Sequence, residues 1–172
     1  SLVGSEMCIR DSNEEDPLCQ KLKECLLEQF RILHDEKFVC TFFVGGALGV
    51  DMWAGEQLLT LRAQTGYEDI KIIVVVPFIG YDSKWPDQSK HRLKKLIQNA
   101  NDSIVISHSA DVSSYKKRNY YMVDHAEYLI GVFDNQKKLR SGTAQTVNYA
   151  LRNGKAITLI HPDTMEITTP TT

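Results

Sequence analysis

A glycine-rich turn holds the residues of this sequence that are best suited to ligand binding. Gly45, Gly46 and Gly49 lie between an apolar run that predicts a strand and an amphipathic run that predicts a helix, and Asp51 follows two residues later. Glycine lets the backbone turn sharply or approach a ligand closely, and the unpaired N–H groups of a helix start attract phosphate. The spacing indicates a phosphate-binding turn, in which Asp51 could accept ribose hydroxyls. A tight connection without a ligand is the structural alternative.

A second turn repeats this arrangement further along the chain. Asp134 follows the predicted strand 128–133, and Ser141, Gly142 and Thr143 stand where the next helix is predicted to begin. A hydroxyl and free N–H groups at a helix start can hold a phosphate, although a hydroxyl that simply caps the helix needs no ligand. Open α/β sheets bind ligands at the carboxyl ends of their strands, so the two turns predict one shared pocket. Asp134 is a second candidate for a ribose hydroxyl.

Three further side chains could contact a ligand in that pocket. Arg118 could bind an anionic group through two parallel hydrogen bonds, and Asn119 is its neighbour in the sequence. A solvated helix face is the alternative for this segment. Trp85, which precedes Pro86, could stack on a base or could anchor a packed loop.

The common catalytic and metal-binding motifs do not occur in this sequence. There is no nucleophile elbow, Walker A loop, HExxH or GxGxxG motif, and the five histidines are scattered without ligand spacing. The cysteines at positions 8, 19, 25 and 40 form no CxxC pair and have no histidine at zinc-finger spacing. We therefore assign no catalytic residue and no metal site. We interpret the cysteines as reduced, mostly buried thiols of a cytoplasmic protein.

Alternating helix and strand patterns must position these candidate residues. Asp16-Pro17 predicts a helix start, and apolar residues recur every three or four positions from Leu18 to Leu33. Strands are predicted at 38–44, 70–76, 103–107, 128–133 and 156–160, and the helices between them at 50–65, 86–100, 114–125 and 143–153. Pro77 is expected to end the second strand. This alternation predicts a three-layer α/β domain of Rossmann type with a mostly parallel sheet.

The two ends of the chain differ from this pattern. Residues 1–12, SLVGSEMCIRDS, resemble a translated sequencing-adapter read-through and lack the regions of a signal peptide. We interpret them as a non-native leader, with a genuine disordered leader as the alternative. Residues 13–162 then form the single domain, and 163–172 a loose C-terminal tail. Because this domain begins on a helix whereas doubly wound folds begin on a strand, we expect the sheet to lack its N-terminal strand.

Length, composition and net charge indicate which classes of partner to expect. A chain of 172 residues suits one domain, and its apolar share of 42% and charged share of 24% are ordinary for a globular protein. A net charge of −2 creates no strong field toward nucleic acid or anionic membranes, and no apolar run approaches the ~18–20 residues of a membrane span. We expect no membrane partner and do not expect nucleic acid as the partner. A homo-oligomer and a protein partner stay open.

Four segments carry a resemblance that goes beyond these local signals. They are GGALGVDMWAGE (45–56), Pro77-Phe78 with Trp85, RNYYMVD (118–124) and SGTAQTVNYA (141–150). In this order, over about residues 20–162, they resemble the YpsA-like branch of the SLOG superfamily, which also contains the DprA and lonely-guy proteins. The resemblance implies a Rossmann-like domain that senses or processes nucleotides or nucleotide-derived ligands. Some relatives are associated with cell division.

This sequence departs from the family pattern in two places. Relatives usually begin with a strand and a Gly-His-Arg-Pro-like turn, which nothing here matches. The lonely-guy phosphoribohydrolases carry a PGGxGTxxE motif and a catalytic arginine. Arg118 matches the arginine and Gly142-Thr143 match the GT, but Thr146 occupies the position of the catalytic glutamate. The resemblance therefore implies a retained pocket and argues against that hydrolase reaction.

We expect the protein to bind or sense a nucleotide, ADP-ribose or dinucleotide without catalysis, and it could be coupled to a protein partner. No cofactor is assigned. Two alternatives stay open. A hydrolase acting on an N-glycosidic bond would need a carboxylate close to Arg118 to replace the missing glutamate. Single-stranded DNA binding, as in DprA, would need a basic, aromatic-lined groove, for which the segment from Tyr115 to Tyr121 offers side chains.

Overall fold

Helices and strands alternate along the chain. The structure, a computed structural model, describes residues 2–5, 14–133 and 142–171, with side chains from residue 14 onward. The helices of these ranges are α1 (Pro17–Lys37), α2 (Val50–Arg62), α3 (Asp87–Asn99), α4 (Ser113–Asp124) and α5 (Gly142–Arg152). The strands are β1 (Leu2–Ser5), β2 (Thr41–Val44), β3 (Lys71–Phe78), β4 (Asp102–Ser107), β5 (Tyr128–Val132), β6 (Ala156–Ile160) and β7 (Ile167–Thr168).

The strands form one sheet, which confirms the predicted α/β fold. Their order is β4-β3-β2-β1-β5-β6-β7. Neighbouring strands from β4 to β6 pair in parallel, and β7 pairs with β6 antiparallel. The strand order reverses at β1, so the crevice at the carboxyl ends of β1 and β5 is the topological switch point. In open α/β sheets this is where ligands bind.

Two hydrophobic cores hold helices against the two faces of the sheet. The core under α1, α2 and α3 contains Leu26, Phe30 and Phe42, all fully buried. The core under α4 and α5 contains Phe43 and Met122. Successive strand residues point to opposite faces, so Phe42 and Phe43 enter different cores. Burying each such side chain stabilises the fold by roughly 1.5–3 kcal/mol.

The sheet contains an N-terminal strand, so the expectation that it lacks one is wrong. β1 pairs with β2 through Leu2↔Phe43 and with β5 along all four of its residues, beginning at Leu2↔Leu129. β2 therefore has a partner on both sides and no exposed edge. A four-residue strand containing Gly4 gives almost no periodic signal, and its partners lie elsewhere in the sequence. The non-native origin of residues 1–12 stays a prediction.

Two other boundaries also differ from expectation. β3 continues through Pro77 to Phe78, whereas proline was expected to end it. β2 ends opposite Val74, so no residue of β2 pairs with Pro77. The N–H that proline lacks is therefore not needed on that side of β3. The expected loose tail is also partly wrong, because β7 pairs with β6 through Ile160↔Ile167. This pairing shields the edge of β6.

The helices and cysteines bear on two further expectations. No helix in the described ranges combines the length and apolarity that crossing a membrane requires. Cys19 is buried in the core under α1. Cys25 and Cys40 are half-buried and form no disulfide. Cys8 lies outside the described residues.

Candidate functional site

The glycine turn joins β2 to α2 at the carboxyl edge of the sheet, where the sequence predicted it. Gly46 and Gly49 have φ angles of 67° and 81°, in the left-handed region that favours glycine. Gly49 is the N-cap of α2 and provides no side-chain cap hydrogen bond. The first N–H groups of α2 therefore depend on other partners.

Two charged side chains pack beneath this turn. Asp51 is 8% exposed and Arg118 is 5% exposed. Nη1 of Arg118 donates to the Gly45 carbonyl, and the Ala47 N–H donates to Asp51 Oδ2 at 3.4 Å. A Cβ on Gly45 would lie 2.7 Å from Asp51 Oδ2 and 3.2 Å from Arg118 Nη1. The missing side chain at Gly45 is therefore what makes room for the two buried charges.

Burial dominates the electrostatics of Asp51. It raises the pKa of Asp51 to about 6, although the Arg118 guanidinium and the Ala47 N–H both act to lower it. Oδ1 of Asp51 is buried and has no hydrogen-bond partner among the described residues. Such unpaired buried atoms are rare in folded proteins. Asp51 is consequently a carboxyl group that titrates close to neutral pH, with one oxygen unpaired.

Aromatic side chains close the other side of the turn, and one of them, Tyr81, was not identified from the sequence. The Tyr81 hydroxyl donates to the Gly46 carbonyl at 2.6 Å, and burial raises the pKa of this phenol far above its usual value. The Phe78 ring lies edge-on to Tyr81 and Tyr115, with centroids 6.4 Å and 5.7 Å away. The signal that could have found Tyr81 is its place just after β3, whose carboxyl end neighbours that of β2.

The N-termini of α4 and α5 converge on an open cavity of about 320 Å³, which we call the α4–α5 cavity. In α4 the N–H groups of Ser113 and Ser114 already donate to Asp111, at 3.0 Å each. The helix N-terminus still carries a partial positive charge, and Lys116 adds a full charge. The cavity therefore suits an anion. Its lining includes Ser113, Tyr115, Lys116, Asn119, Gly142 and Thr146.

Arg118 connects the glycine turn to this cavity. Its Nη1 bonds the Gly45 carbonyl, while its Nε donates to Asn119 Oδ1 at 2.8 Å. The guanidinium also lies over the Tyr115 ring, 5.9 Å from its centroid. Asn119 and Tyr115 line the cavity, whereas the glycine turn does not. Arg118 thus links the glycine turn to the α4–α5 cavity, and the shared pocket predicted from the two turns stays a prediction, because Asp134 and Ser141 lie outside the described residues.

The start of α5 holds the remaining candidates. Gly142 lines the cavity and Thr143 is buried. The Thr146 hydroxyl donates to the Gly142 carbonyl at 2.8 Å, so it is committed to its own helix. Asp134 and Ser141 lie outside the described residues.

Trp85 occupies a position that favours loop anchoring over base stacking. Its ring is edge-on to Tyr81, with centroids 5.4 Å apart, and it packs against the core under α1–α3. It does not line the α4–α5 cavity. Trp85 therefore supports the loop that carries Tyr81.

Solved structures resemble this fold. DprA from Streptococcus pneumoniae superposes with a TM-score of 0.59 at 16% identity, over 92% of this chain and 49% of that one. DprA from Helicobacter pylori, whose single-stranded DNA binding mode is described with its structure, gives 0.58 at 19% identity, over 92% of this chain and 64% of that one. At such identities the likeness shows the fold alone. This chain spans only part of either protein.

Sequence relatives establish the family. The YspA SLOG family profile matches residues 4–165. The SPβ prophage-derived protein YoqJ of Bacillus subtilis is 32% identical over 166 residues, which cover 87% of this chain and 92% of that protein. A UPF0398 protein of Staphylococcus epidermidis is 26% identical over 127 residues, and the match covers 73% of this chain and 66% of that protein. The resemblance inferred from the four segments is confirmed, and the chain belongs to the YspA SLOG family.

Proposed function

We propose that this protein binds an anionic, nucleotide-like ligand in the α4–α5 cavity and senses it without converting it. The observation that carries this proposal is the convergence of two helix N-termini and Lys116 on one cavity. Its volume of about 320 Å³ lies near the lower end of the ~300–1,000 Å³ range of small-molecule sites. One helix terminus contributes only ~0.3–1 kcal/mol to binding an exposed charge. The two helix termini and Lys116 must therefore act together.

Sensing requires that an occupied cavity affects another part of the molecule, and Arg118 supports this. Asn119 Oδ1 accepts from Arg118 Nε, and Gly45 accepts from Nη1 of the same side chain. A ligand that competes for the Asn119 amide would alter the hold of Arg118 on the glycine turn. A protein partner that contacts this turn could then distinguish the two states. We place this activity in the cytoplasm, as the Cys25 and Cys40 thiols favour.

The test is a binding titration with AMP, ADP-ribose and NAD as separate probes. A probe at 100 times its dissociation constant should stabilise the protein by about 2.7 kcal/mol. Lys116→Ala should weaken binding about 10- to 150-fold, because a charge-assisted hydrogen bond contributes ~1.5–3 kcal/mol. Lys117→Ala is the matched control, since Lys117 is exposed on the same helix but does not line the cavity. Absence of binding by all three probes, or equal losses in both variants, would refute the proposal.

A nucleotide hydrolase is the second candidate, and Asp51 is the observation that favours it. This carboxylate lies close to Arg118 beneath the glycine turn, and a pKa of about 6 is suited to general acid–base catalysis near neutral pH. Against it, Asp51 is buried and the Thr146 hydroxyl is tied to Gly142. We expect no release of free base from nucleoside monophosphates. Release that Asp51→Asn abolishes would establish the hydrolase instead.

Single-stranded DNA binding is suggested by the DprA fold, and the side chains available for it are few. Arg118 is buried, and the Tyr120 ring stacks on Tyr149 with centroids 3.8 Å apart. Tyr115, Lys116 and Lys117 are left as exposed groups of that segment. Binding of a labelled oligonucleotide should therefore be weak, and with only two exposed lysines it should fall only modestly with salt. Tight binding at physiological salt would make nucleic acid the ligand.

A further inference from the structure

We propose a zinc site formed by His34, Cys40 and Asp69. His34 lies in the last turn of α1, Cys40 directly precedes β2, and Asp69 lies two residues before β3. One ligand atom from each of the three residues lies within 4.8 Å of the others. The cluster stands at the amino ends of β2 and β3, so it is at the opposite edge of the sheet from the α4–α5 cavity. The inference is independent of the proposed nucleotide binding.

The ligand atoms lie at hydrogen-bond distances, slightly closer together than in a tetrahedral zinc site. His34 Nε2 lies 2.8 Å from Asp69 Oδ1, and Cys40 Sγ lies 3.2 Å from Asp69 Oδ2. Zinc bonds of ~2.0–2.3 Å in a tetrahedron separate the ligand atoms by about 3.3–3.7 Å. The Asp69 side chain is 57% exposed, so it can move back by the small distance that admits the ion.

A supporting shell already orients the histidine. His34 Nδ1 lies 2.8 Å from Asp35 Oδ1, and the Tyr67 hydroxyl donates to Asp35 Oδ2 at 2.8 Å. The His34 ring also packs on the Tyr67 ring, with centroids 4.8 Å apart. A zinc-bound histidine usually gives its other ring N–H to a carboxylate that is itself hydrogen-bonded. Asp35 and Tyr67 supply this arrangement, which leaves Nε2 directed at Cys40 and Asp69.

The donor set selects the metal. One imidazole nitrogen, one thiolate and one carboxylate suit Zn²⁺, whereas Mg²⁺ and Ca²⁺ require oxygen ligands. The neutral His34 ring would bind the ion through its unprotonated Nε2 while Nδ1–H faces Asp35, and the thiol proton of Cys40 would leave to solvent as the thiolate binds. Three protein ligands leave a fourth position open to water. The ion would tie the end of α1 to the starts of β2 and β3.

The experiment uses the full chain after removal of metal, titrated with Co²⁺ and then with Zn²⁺. Tetrahedral Co²⁺ bound to a thiolate should give a charge-transfer band in the near ultraviolet and d–d bands in the visible, which equimolar Zn²⁺ abolishes. Zinc should also raise the midpoint of thermal unfolding. Cys40→Ser and His34→Gln should abolish the charge-transfer band. Cys25→Ser is the matched control, because Cys25 is a half-buried thiol outside the cluster, and it should leave the band unchanged.

Asp35→Asn tests the supporting shell. It should keep the band and weaken zinc binding about 10- to 100-fold, as loss of an outer partner does in other zinc sites. The proposal is overturned if the unmodified protein gives no thiolate-to-cobalt band, or if the band survives in Cys40→Ser. In that case the three residues form a hydrogen-bonded cluster only. The spectrum of the unmodified protein decides the matter even if a variant fails to fold.

Discussion

Single residues of the glycine turn are constrained by their side-chain neighbours. A Cβ on Gly45 would meet the Asp51 carboxylate and the Arg118 guanidinium, whereas a Cβ on Gly142 would meet no atom of the described residues within 4 Å. Gly46 has a positive φ, and its Cβ would lie 2.8 Å from the Tyr81 hydroxyl. Substitution of Gly46 therefore strains the fold as well as the site. Gly142 is the cleaner position for testing ligand binding.

One matched pair of variants, Gly45→Ala and Gly142→Ala, tests how tightly the surroundings of each glycine are packed. Gly45→Ala should destabilise the protein by about 1–3 kcal/mol, because extra atoms in a packed region force their neighbours to shift. Gly142→Ala should leave stability unchanged or slightly higher, since alanine favours a helix. Urea unfolding of both variants measures the difference. Equal stability of the two variants would show that the side chains around Gly45 can shift at little cost in free energy.

Asp51 should give stability a distinctive dependence on pH. The pKa of Asp51 is about 6 in the fold and ~3.9 in an unfolded chain, so the folded state binds more protons between these values. Stability from this group is therefore full below about pH 4 and falls as pH rises to about 6. The loss amounts to about 3 kcal/mol.

Asp51→Asn provides the control, because asparagine does not titrate. The free energy of unfolding of the variant, relative to the original protein, should rise by about 2 kcal/mol from pH 4 to pH 7. Chemical unfolding at several pH values measures it. Parallel pH profiles for the two proteins would contradict the buried, uncompensated carboxylate.

Sequence and structure agree unevenly at the residue scale. The glycine turn could be predicted because glycine marks unusual backbone wherever it falls. The role of Tyr81 could not be predicted, because the sequence does not show which carbonyl the hydroxyl of a tyrosine in a loop will contact. The cluster of His34, Cys40 and Asp69 was missed for the same reason, because the fold brings its members together across long separations and no short motif records that.

Arg118 shows what a single side chain does between two elements. It fixes α4 against the turn that starts α2, through the Gly45 carbonyl, and it offsets part of the cost of burying Asp51. Removing one partner of a buried charge pair costs about 3–5 kcal/mol, because the other is left uncompensated.

Arg118→Ala should therefore be strongly destabilising at pH 7, and much less so when Asp51→Asn is also present. The coupling between the two changes should lie within about 0.5–3 kcal/mol. A double-mutant cycle by urea unfolding measures it. Arg152→Ala, at an exposed position on α5, should cost little and serves as the reference. Strictly additive costs at positions 51 and 118 would mean that the two charges do not interact.

Whether a segment forms a helix or a strand could be predicted well where its apolar residues line one buried face. The α1 start was recognised because Asp16 caps the helix, and its Oδ1 accepts from the Leu18 N–H at 2.8 Å. The β3 end was placed too early, since the rule that proline stops a strand applies only where its N–H would be needed. β1 and β7 were missed because segments of four and two residues are too short to show a period.

At the scale of the whole molecule, β1 is the strand that joins the two halves of the sheet, because it lies between β2 and β5. Deletion of residues 1–5 should leave β2 and β5 without their shared partner and expose unpaired backbone groups, which promotes aggregation. We expect a lower soluble fraction and a lower unfolding midpoint. Deletion of residues 169–172, beyond β7, is the control and should be tolerated. A truncated chain as soluble and stable as the original would show that residues 1–5 contribute nothing.

The central position of β1 also fixes the order in which the molecule can be completed. β1 precedes β2 in the chain with only α1 between them, whereas β5 is made only after β3, β4 and the helices α2 to α4 have been synthesised. Pairings between distant segments close slowly, and N-terminal parts fold first during synthesis. The pairing of β1 with β5 therefore forms late, after the half of the domain that contains α1, α2 and α3 has folded. Because α5 follows β5 and forms part of the lining of the α4–α5 cavity, a nascent chain should acquire ligand binding only after α5 has been made.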